Sequence, residues 1–251
     1  MAAGEGRGLV RGNRARSVIH DAPSRGRKAA KILAILREAC GPSLGDARCL
    51  DVGSASGLVL RRLAPHLGQA VGLEYDAQAL ALMGGEGARN LLFVRGDATH
   101  LPVKDNSVDL VLSTQVYEHV SDPDAMVAEI RRVLVPEGVC FFSGPNKLAL
   151  IEEHYGLPFV SLLPRRWADA WIRLAGRGDS YAERPRTYWG LRRMWQGFQW
   201  RDYTLEMIRH PDRYHCAEEL GRLRWVGALP TWLLRVLRPL YPNYNWVLRK
   251  Q

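Results

Sequence analysis

Short apolar runs alternate with longer stretches whose apolar positions fall three and four residues apart. Ala29, Ile32, Leu33, Leu36 and Ala39 predict a helix over 25–39. Arg48–Val52 predicts a first strand, followed from Gly57 by a helix through Leu58, Leu60, Leu63 and Ala64 that stops near Pro65. Ala70–Glu74, Leu91–Arg95 and Val108–Ser113 predict strands two to four, with a helix through Ala77–Met83 between the first two of these. Strand four is apolar along most of its length, the pattern of a strand covered on both faces. Gln115-Val116-Tyr117-Glu118-His119 reads as the start of the next helix, and Asp124–Leu134 as an amphipathic helix ended by Pro136-Glu137-Gly138. Val139–Ser143 is strand five. Strands that alternate with helices in this way build a parallel α/β sheet.

After Pro145 the pattern changes. All eight tryptophans lie between Trp167 and Trp246. Residues 148–197 hold no clear strand, only a helical stretch at Trp167–Ala175 and another at Leu191–Phe198. Phe198–Leu205 and Tyr244–Leu248 are candidates for strands six and seven. Between them, 231–241 places Trp232, Leu233, Leu234, Val236, Leu237 and Leu240 around Arg235 and Arg238, an amphipathic pattern. Residues 1–24 are rich in glycine and arginine, lack apolar periodicity and are expected to form a flexible basic N-terminus.

Composition narrows the class. At 251 residues and 47% hydrophobic content the chain can bury a substantial core. Four cysteines show no C-x-x-C pair and no zinc-type spacing, so reduced thiols and a cytoplasmic location are expected, and no metal site. No apolar run approaches the roughly 18 residues that span a bilayer. The net charge of +9 is unevenly placed. Residues 32–164 carry ten basic and sixteen acidic side chains, whereas 165–251 carry seventeen and eight. A basic flank suits anionic partners such as phospholipid head groups, a charged substrate or nucleic acid.

The candidate chemistry starts at Leu50-Asp51-Val52-Gly53-Ser54-Ala55-Ser56-Gly57, a strand end running into a glycine turn. Asp51 would repel a diphosphate but suits an ammonium or sulfonium, and no Lys-Ser or Lys-Thr follows as in phosphate loops. Glu74 and Asp97 close the next two strands at equal spacing. Three acids on one sheet edge make a nucleoside site that prefers a cation.

With LDVGSASG, GLEYDAQAL, GDATHLPVKDNSVDLVLSTQVYEHV and RRVLVPEGVCFFSGPN in this order, residues 48–147 resemble the class I S-adenosylmethionine-dependent methyltransferases, and among them the small-molecule group that includes quinone-biosynthesis enzymes. The resemblance implies a Rossmann-like, doubly wound, seven-stranded sheet, mostly parallel with an antiparallel last strand, plus helical lid insertions over 148–197 and 206–242. It implies that the backbone of Gly53, Ser54 and Ala55, with Gly57 closing the turn, wraps the methionine half of S-adenosyl-L-methionine. It implies Asp51 near the ammonium, Glu74 on the ribose hydroxyls, Asp97 and the Ala98 N–H on the adenine, and Ser113 or Thr114 near the methyl group. Ala55 stands where a second glycine is commoner.

Two histidines are candidate bases. His154 falls where the substrate lid of this family begins, and His119 follows strand four, where a structural role is also open. Relatives that carry an acid at the position of Gln115 have been associated with a metal, but Gln is a poor ligand. The acceptor implied is a hydroxyl of a small molecule, a lipid or a lipid-linked sugar, with peripheral association to an anionic membrane. The arginine-rich composition keeps an RNA methyltransferase open, although strand four does not end in the Asn/Asp-Pro-Pro-aromatic motif of amine methylation and no RNA-binding module is present. A non-catalytic cofactor-binding protein is the third reading.

Overall fold

The computed structural model describes residues 22–83 and 88–251. The expectation of a flexible N-terminus falls outside them, save that residues 22–24 already belong to the first helix. Seven strands form one sheet: β1 Arg48–Val52, β2 Gln69–Glu74, β3 Leu91–Arg95, β4 Val108–Thr114, β5 Leu134–Pro145, β6 Phe198–Asp202 and β7 Asn243–Lys250. Their order is β3-β2-β1-β4-β5-β7-β6. β1 pairs in parallel with β2 and β4, and β7 lies antiparallel between β5 and β6. The doubly wound α/β sheet with an antiparallel last strand is therefore the observed fold.

Side-chain alternation along the strands feeds two cores. On one face Cys49, Leu110 and Leu112 pack with Ile32, Ile35 and Leu36 of α1 (Ala22–Cys40) and with Leu60 and Leu63 of α2 (Leu58–Leu63). Tyr203 and Met207 of a later helix, Tyr203–Arg209, complete that face. On the other face Leu50, Val52 and Val111 pack with Met126, Ile130 and Val133 of the helix Pro123–Val133, and with Leu191 and Met194 of Tyr188–Met194. A third, smaller core lies in the segment after β5. There Tyr155, Leu157, Val160 and Tyr181 close around Ala168 and Ile172 of the helix Arg165–Leu174, so this lid has an apolar centre of its own.

Three expectations are corrected. Residues 115–119 form a turn, not a helix: Gln115 sits in left-handed backbone (φ 61), and the helix starts only where Asp122 accepts the N–H groups of Asp124 and Ala125. β5 begins at Leu134, and the Pro136-Glu137-Gly138 segment is a kink within it, with Glu137 at φ 62. Strand six ends at Asp202, because its carboxylate caps the next helix through the Thr204 N–H. The sequence 231–241 forms a short helix, Thr231–Leu237, and a further turn.

Candidate functional site

The carboxyl ends of β1, β4 and β5 open into a cavity of about 650 Å3. Its floor is the turn after β1. Gly53 adopts φ 75, and a Cβ there would meet Val116 Cγ2 at 2.7 Å. Gly57 adopts φ 69 at the start of α2, where a Cβ would press on the Phe93 ring at 2.7 Å. Both positions therefore require glycine. Ala55 also takes positive φ (52), the conformation that the commoner glycine would hold without strain.

The three acids differ in their state. Glu74 is buried; one of its oxygens accepts the Ala55 N–H at 2.8 Å and the other the Asp76 N–H at 3.0 Å. It thus fixes the shape of the loop. Asp51 is buried in the cavity wall. Burial pushes its pKa up to about 7, held back by the Lys28 charge and by Ser54. Asp97 is exposed; one of its oxygens accepts both the N–H and the Oγ1–H of Thr99 at 2.8 Å.

The structure brings Asp51, Gly53, Ser54, Ala55, Thr114, His119 and His154 to one cavity. Glu74 joins through its bond to Ala55. Gly57, Asp97 and Ala98 do not line the cavity, although Asp97 ends the turn after β3 on the same sheet edge. Ser113 departs from expectation. Its side chain is fully buried, with no partner for Oγ among the described residues, because residues 113 and 114 alternate across the sheet and, of the two, Thr114 faces the cavity.

The lid contributes the other wall. His154 Nδ1 donates to Glu152 Oε1 at 2.9 Å, and its Nε2 lies 3.9 Å from Glu118 Oε1. His119 Nε2 is 3.8 Å from the same oxygen, and the two imidazoles meet edge to face at 5.2 Å. Burial lowers the His154 pKa, but the Glu152 bond and the charges of Glu118, Glu152 and Glu183 outweigh it and lift it to about 9. Glu118 is fully enclosed, and among the described residues neither of its oxygens has a hydrogen-bond partner; burial pushes its pKa up to about 7 against the pull of His154. Gln115 and Asn243 both donate to Glu153 Oε2, which ties the turn after β4 and the start of β7 to the lid.

Several of these groups carried no signal in the sequence. Arg25 and Lys28 of α1 reach the cavity, as do Asn146 and Asn243. The i, i+3 spacing of Arg25, Lys28 and Lys31 could have placed them on one helix face, but not named that face.

Glycine turn, strand-end acids and covered cavity at the switch between β1 and β4 define a nucleoside-cofactor enzyme of the doubly wound class. Residues 50–142 match the methyltransferase domain family. Over 212 residues the chain is 31% identical to an uncharacterized methyltransferase of Mycolicibacterium vanbaalenii, covering 80% of each chain. Its match to a Mycolicibacterium smegmatis protein named a probable S-adenosylmethionine-dependent methyltransferase is 34% identical over 99 residues, so the match spans only 38% of that relative's length. The fold superposes with a TM-score of 0.55 on an S-adenosylmethionine-dependent methyltransferase from Mesorhizobium loti, at 18% identity, covering 92% of this chain and 99% of that one. The chain belongs to the class I S-adenosylmethionine-dependent methyltransferase family, and S-adenosyl-L-methionine is its cofactor.

Proposed function

We propose that this protein methylates a hydroxyl oxygen of a small, partly apolar acceptor, a lipid or a lipid-linked molecule. The observation that carries the reading is the His154–Glu152 pair, which stands in the cavity wall with the loop that wraps the cofactor. The cofactor supplies an electrophilic methyl on a sulfonium, so the chain has to align the acceptor and take one proton. The residues fit such a ligand. Gly53, Ser54 and Ala55 would hold its methionine half, with Asp51 at the ammonium. Glu74 would take the ribose diol, and Asp97 with Ala98 the adenine. Thr114 would lie near the methyl.

His154 would be the general base. Its Nδ1–H is fixed by Glu152, which leaves Nε2 to accept the hydroxyl proton. The Glu118 carboxylate lies beneath both histidines and would stabilise the imidazolium formed. His119 would position the His154 ring by its edge-to-face contact.

The apolar character of the acceptor is supported by the lid surface. Leu150, Ile151, Phe159, Leu162, Leu163 and Trp167 are exposed, and Ile151 also lines the cavity. Arg165, Arg166 and Arg173 lie among them on the helix Arg165–Leu174. Apolar and tryptophan side chains fringed by arginine suit the interface of an anionic bilayer. No helix among the described residues is long and apolar enough to cross a membrane, so any such contact would be peripheral.

The test is incubation of the full chain and cell extract with methyl-labelled cofactor, followed by separation of lipid, glycan, RNA and protein. Label in the lipid fraction is expected. Label in RNA would replace this reading with an RNA methyltransferase, and cofactor binding without transfer to any fraction would make the protein non-catalytic.

A further inference from the structure

Between β6 and β7 the chain turns large apolar side chains outward. Leu223 and Trp225 lie in the segment Gly221–Ala228, and Trp232, Val236 and Leu240 follow; all five are exposed, the two tryptophans by 62% and 67%. Trp232, Val236 and Leu240 recur every fourth residue, so they form one stripe along the helix Thr231–Leu237 and the turn after it. Leu234, on the opposite side of that helix, is fully buried, and its carbonyl accepts the Tyr241 hydroxyl at 2.7 Å. The helix is thus already seated on the body of the protein. A surface helix normally spends its apolar positions on that seat and is polar outside. This one keeps a second apolar stripe facing water.

The charge around the stripe has one sign. From 221 to 242 the sequence holds four arginines and no acid. Arg224 is tied to Asp212 at 2.9 Å and Arg238 to Asp202 at 3.0 Å. Arg235 is exposed, as is Arg209, which donates to Thr231 Oγ1 beside Trp232; among the described residues neither has an acidic partner. The apolar stripe therefore carries two uncompensated cations at its edge. An anionic bilayer answers both features: the indole rings and aliphatic side chains enter the boundary between head groups and acyl chains, and the guanidinium groups meet lipid phosphates. A nucleic acid would stack on the indoles but leave Leu223, Val236 and Leu240 in water.

We propose that the stripe Trp232–Val236–Leu240, with Arg209 and Arg235, docks on an anionic phospholipid bilayer as a contact separate from the lid. The segment ends at the cavity. Asn146 in the cavity wall donates to the carbonyls of Pro239 and Tyr241, each at 2.8 Å, and Pro242 and Asn243 line the cavity themselves. A protein held by this stripe keeps the rim of its cavity joined to the membrane contact. The proposal extends the lipid-acceptor reading above and rests on it only for what the contact serves. Two weak contacts on one body hold far more tightly than either alone, so loss of the stripe or of the lid surface should each release the protein.

The experiment is sedimentation of the full chain with vesicles of phosphatidylglycerol or phosphatidylcholine, for wild type, for Trp232→Glu with Val236→Glu, and for Arg235→Gln. The three positions are exposed, so each variant should fold, which its Tm checks. Wild type should bind phosphatidylglycerol. The double variant should bind it at least about tenfold more weakly, and Arg235→Gln should lose part of the preference for the anionic lipid. Both should keep the Kd for S-adenosylmethionine, since none of these residues lines the cavity. Quenching of tryptophan fluorescence by brominated phosphatidylglycerol should be smaller in Trp232→Phe than in wild type. Vesicle binding of the double variant equal to wild type would overturn the proposal; release by Leu163→Glu with Trp167→Glu would then leave the lid contact standing. Loss of RNA or of a protein partner by the double variant, with vesicle binding unchanged, would assign the stripe to that partner instead. Stripe-dependent vesicle binding with no methyl label in lipid would uphold the docking surface and remove the lipid acceptor.

Discussion

His154 and Glu152, two residues apart on the lid, share a 2.9 Å hydrogen bond that presents the far nitrogen of the imidazole to the cavity. The carboxylates around it keep the ring charged up to about pH 9. A base must be neutral, and at pH 7 only about one His154 in a hundred would be. The rate of methyl transfer should therefore rise with pH and level off near 9. His154→Gln should remove that limb and lower kcat by about 100-fold. Glu152→Gln removes the bonded anion and should move the limb to lower pH. A profile that is flat between pH 6.5 and 9 in the wild type would exclude His154 as the base.

Gly53 and Val116 leave no room for a side chain between them. A Cβ at Gly53 would sit 2.7 Å from Val116 Cγ2, in backbone that L-residues rarely adopt. Gly53→Ala should cost about 1–3 kcal/mol of stability and weaken cofactor binding at least tenfold. Adding Val116→Ala should recover part of the binding, because it relieves the clash but not the backbone strain. Calorimetry and thermal melts of wild type and the two variants check both parts.

The opposite change is expected at Ala55. Its φ of 52 strains an L-residue. Ala55→Gly relieves this but gives the unfolded chain more freedom. The balance should favour the folded state by about 1 kcal/mol or less, a rise of roughly 2 °C in Tm, with cofactor affinity retained. A fall in Tm would show that the loop is not strained there.

These residues also show what could be read from the chain. The loop after β1 and the strand-end acids were legible because they are local: a strand, a left-handed glycine and an acid at each strand tip follow in order, and each dictates a backbone shape. The face of Ser113 was legible in principle, since strand side chains alternate, but the end of β4 offered two hydroxyls and only the structure shows which one faces the cavity. The turn at 115–119 was missed because its apolar spacing fits a helix, and the left-handed Gln115 that forbids one has no sequence signature. The environment of His154 was legible only in Glu152, two residues away. Glu118 and Glu183 come from separate segments, and their meeting with His154 depends on how the lid closes on its own small core.

Asp51 at the cofactor's ammonium should make cofactor affinity depend on pH. Its folded pKa is about 7, against about 3.9 in an unfolded chain. The folded state thus holds the extra proton between these values. The stability from this group is complete below about pH 4 and is lost as pH rises through 7. An ammonium beside the carboxylate reverses that preference. S-adenosylmethionine should bind more tightly as pH rises from 6 to 8, by no more than tenfold per unit, and Asp51→Asn should flatten the dependence. Titrations at five pH values from 5.5 to 9.5 would resolve the rise, and a flat curve would argue against Asp51 at the ammonium.

The lid surface yields a prediction independent of the cofactor. Leu163, just before the helix Arg165–Leu174, and Trp167 on it are exposed beside Arg165 and Arg166, whereas Ala168 and Ile172 of that helix are buried in the lid core. Changing an exposed residue should leave the lid folded; changing a buried one should not. Wild type should sediment with vesicles of phosphatidylglycerol and much less with phosphatidylcholine, because the arginines need an anionic surface and the apolar side chains need a bilayer to enter. Leu163→Glu with Trp167→Glu should abolish sedimentation and leave the Kd for S-adenosylmethionine unchanged, since neither residue lines the cavity. If acceptors are drawn from the bilayer, the same double variant should raise KM for a vesicle-borne acceptor while kcat for a short-chain, soluble analogue stays as in wild type. Equal sedimentation of variant and wild type would show that this surface does not meet the membrane, and the apolar lid would then serve only to cover the acceptor.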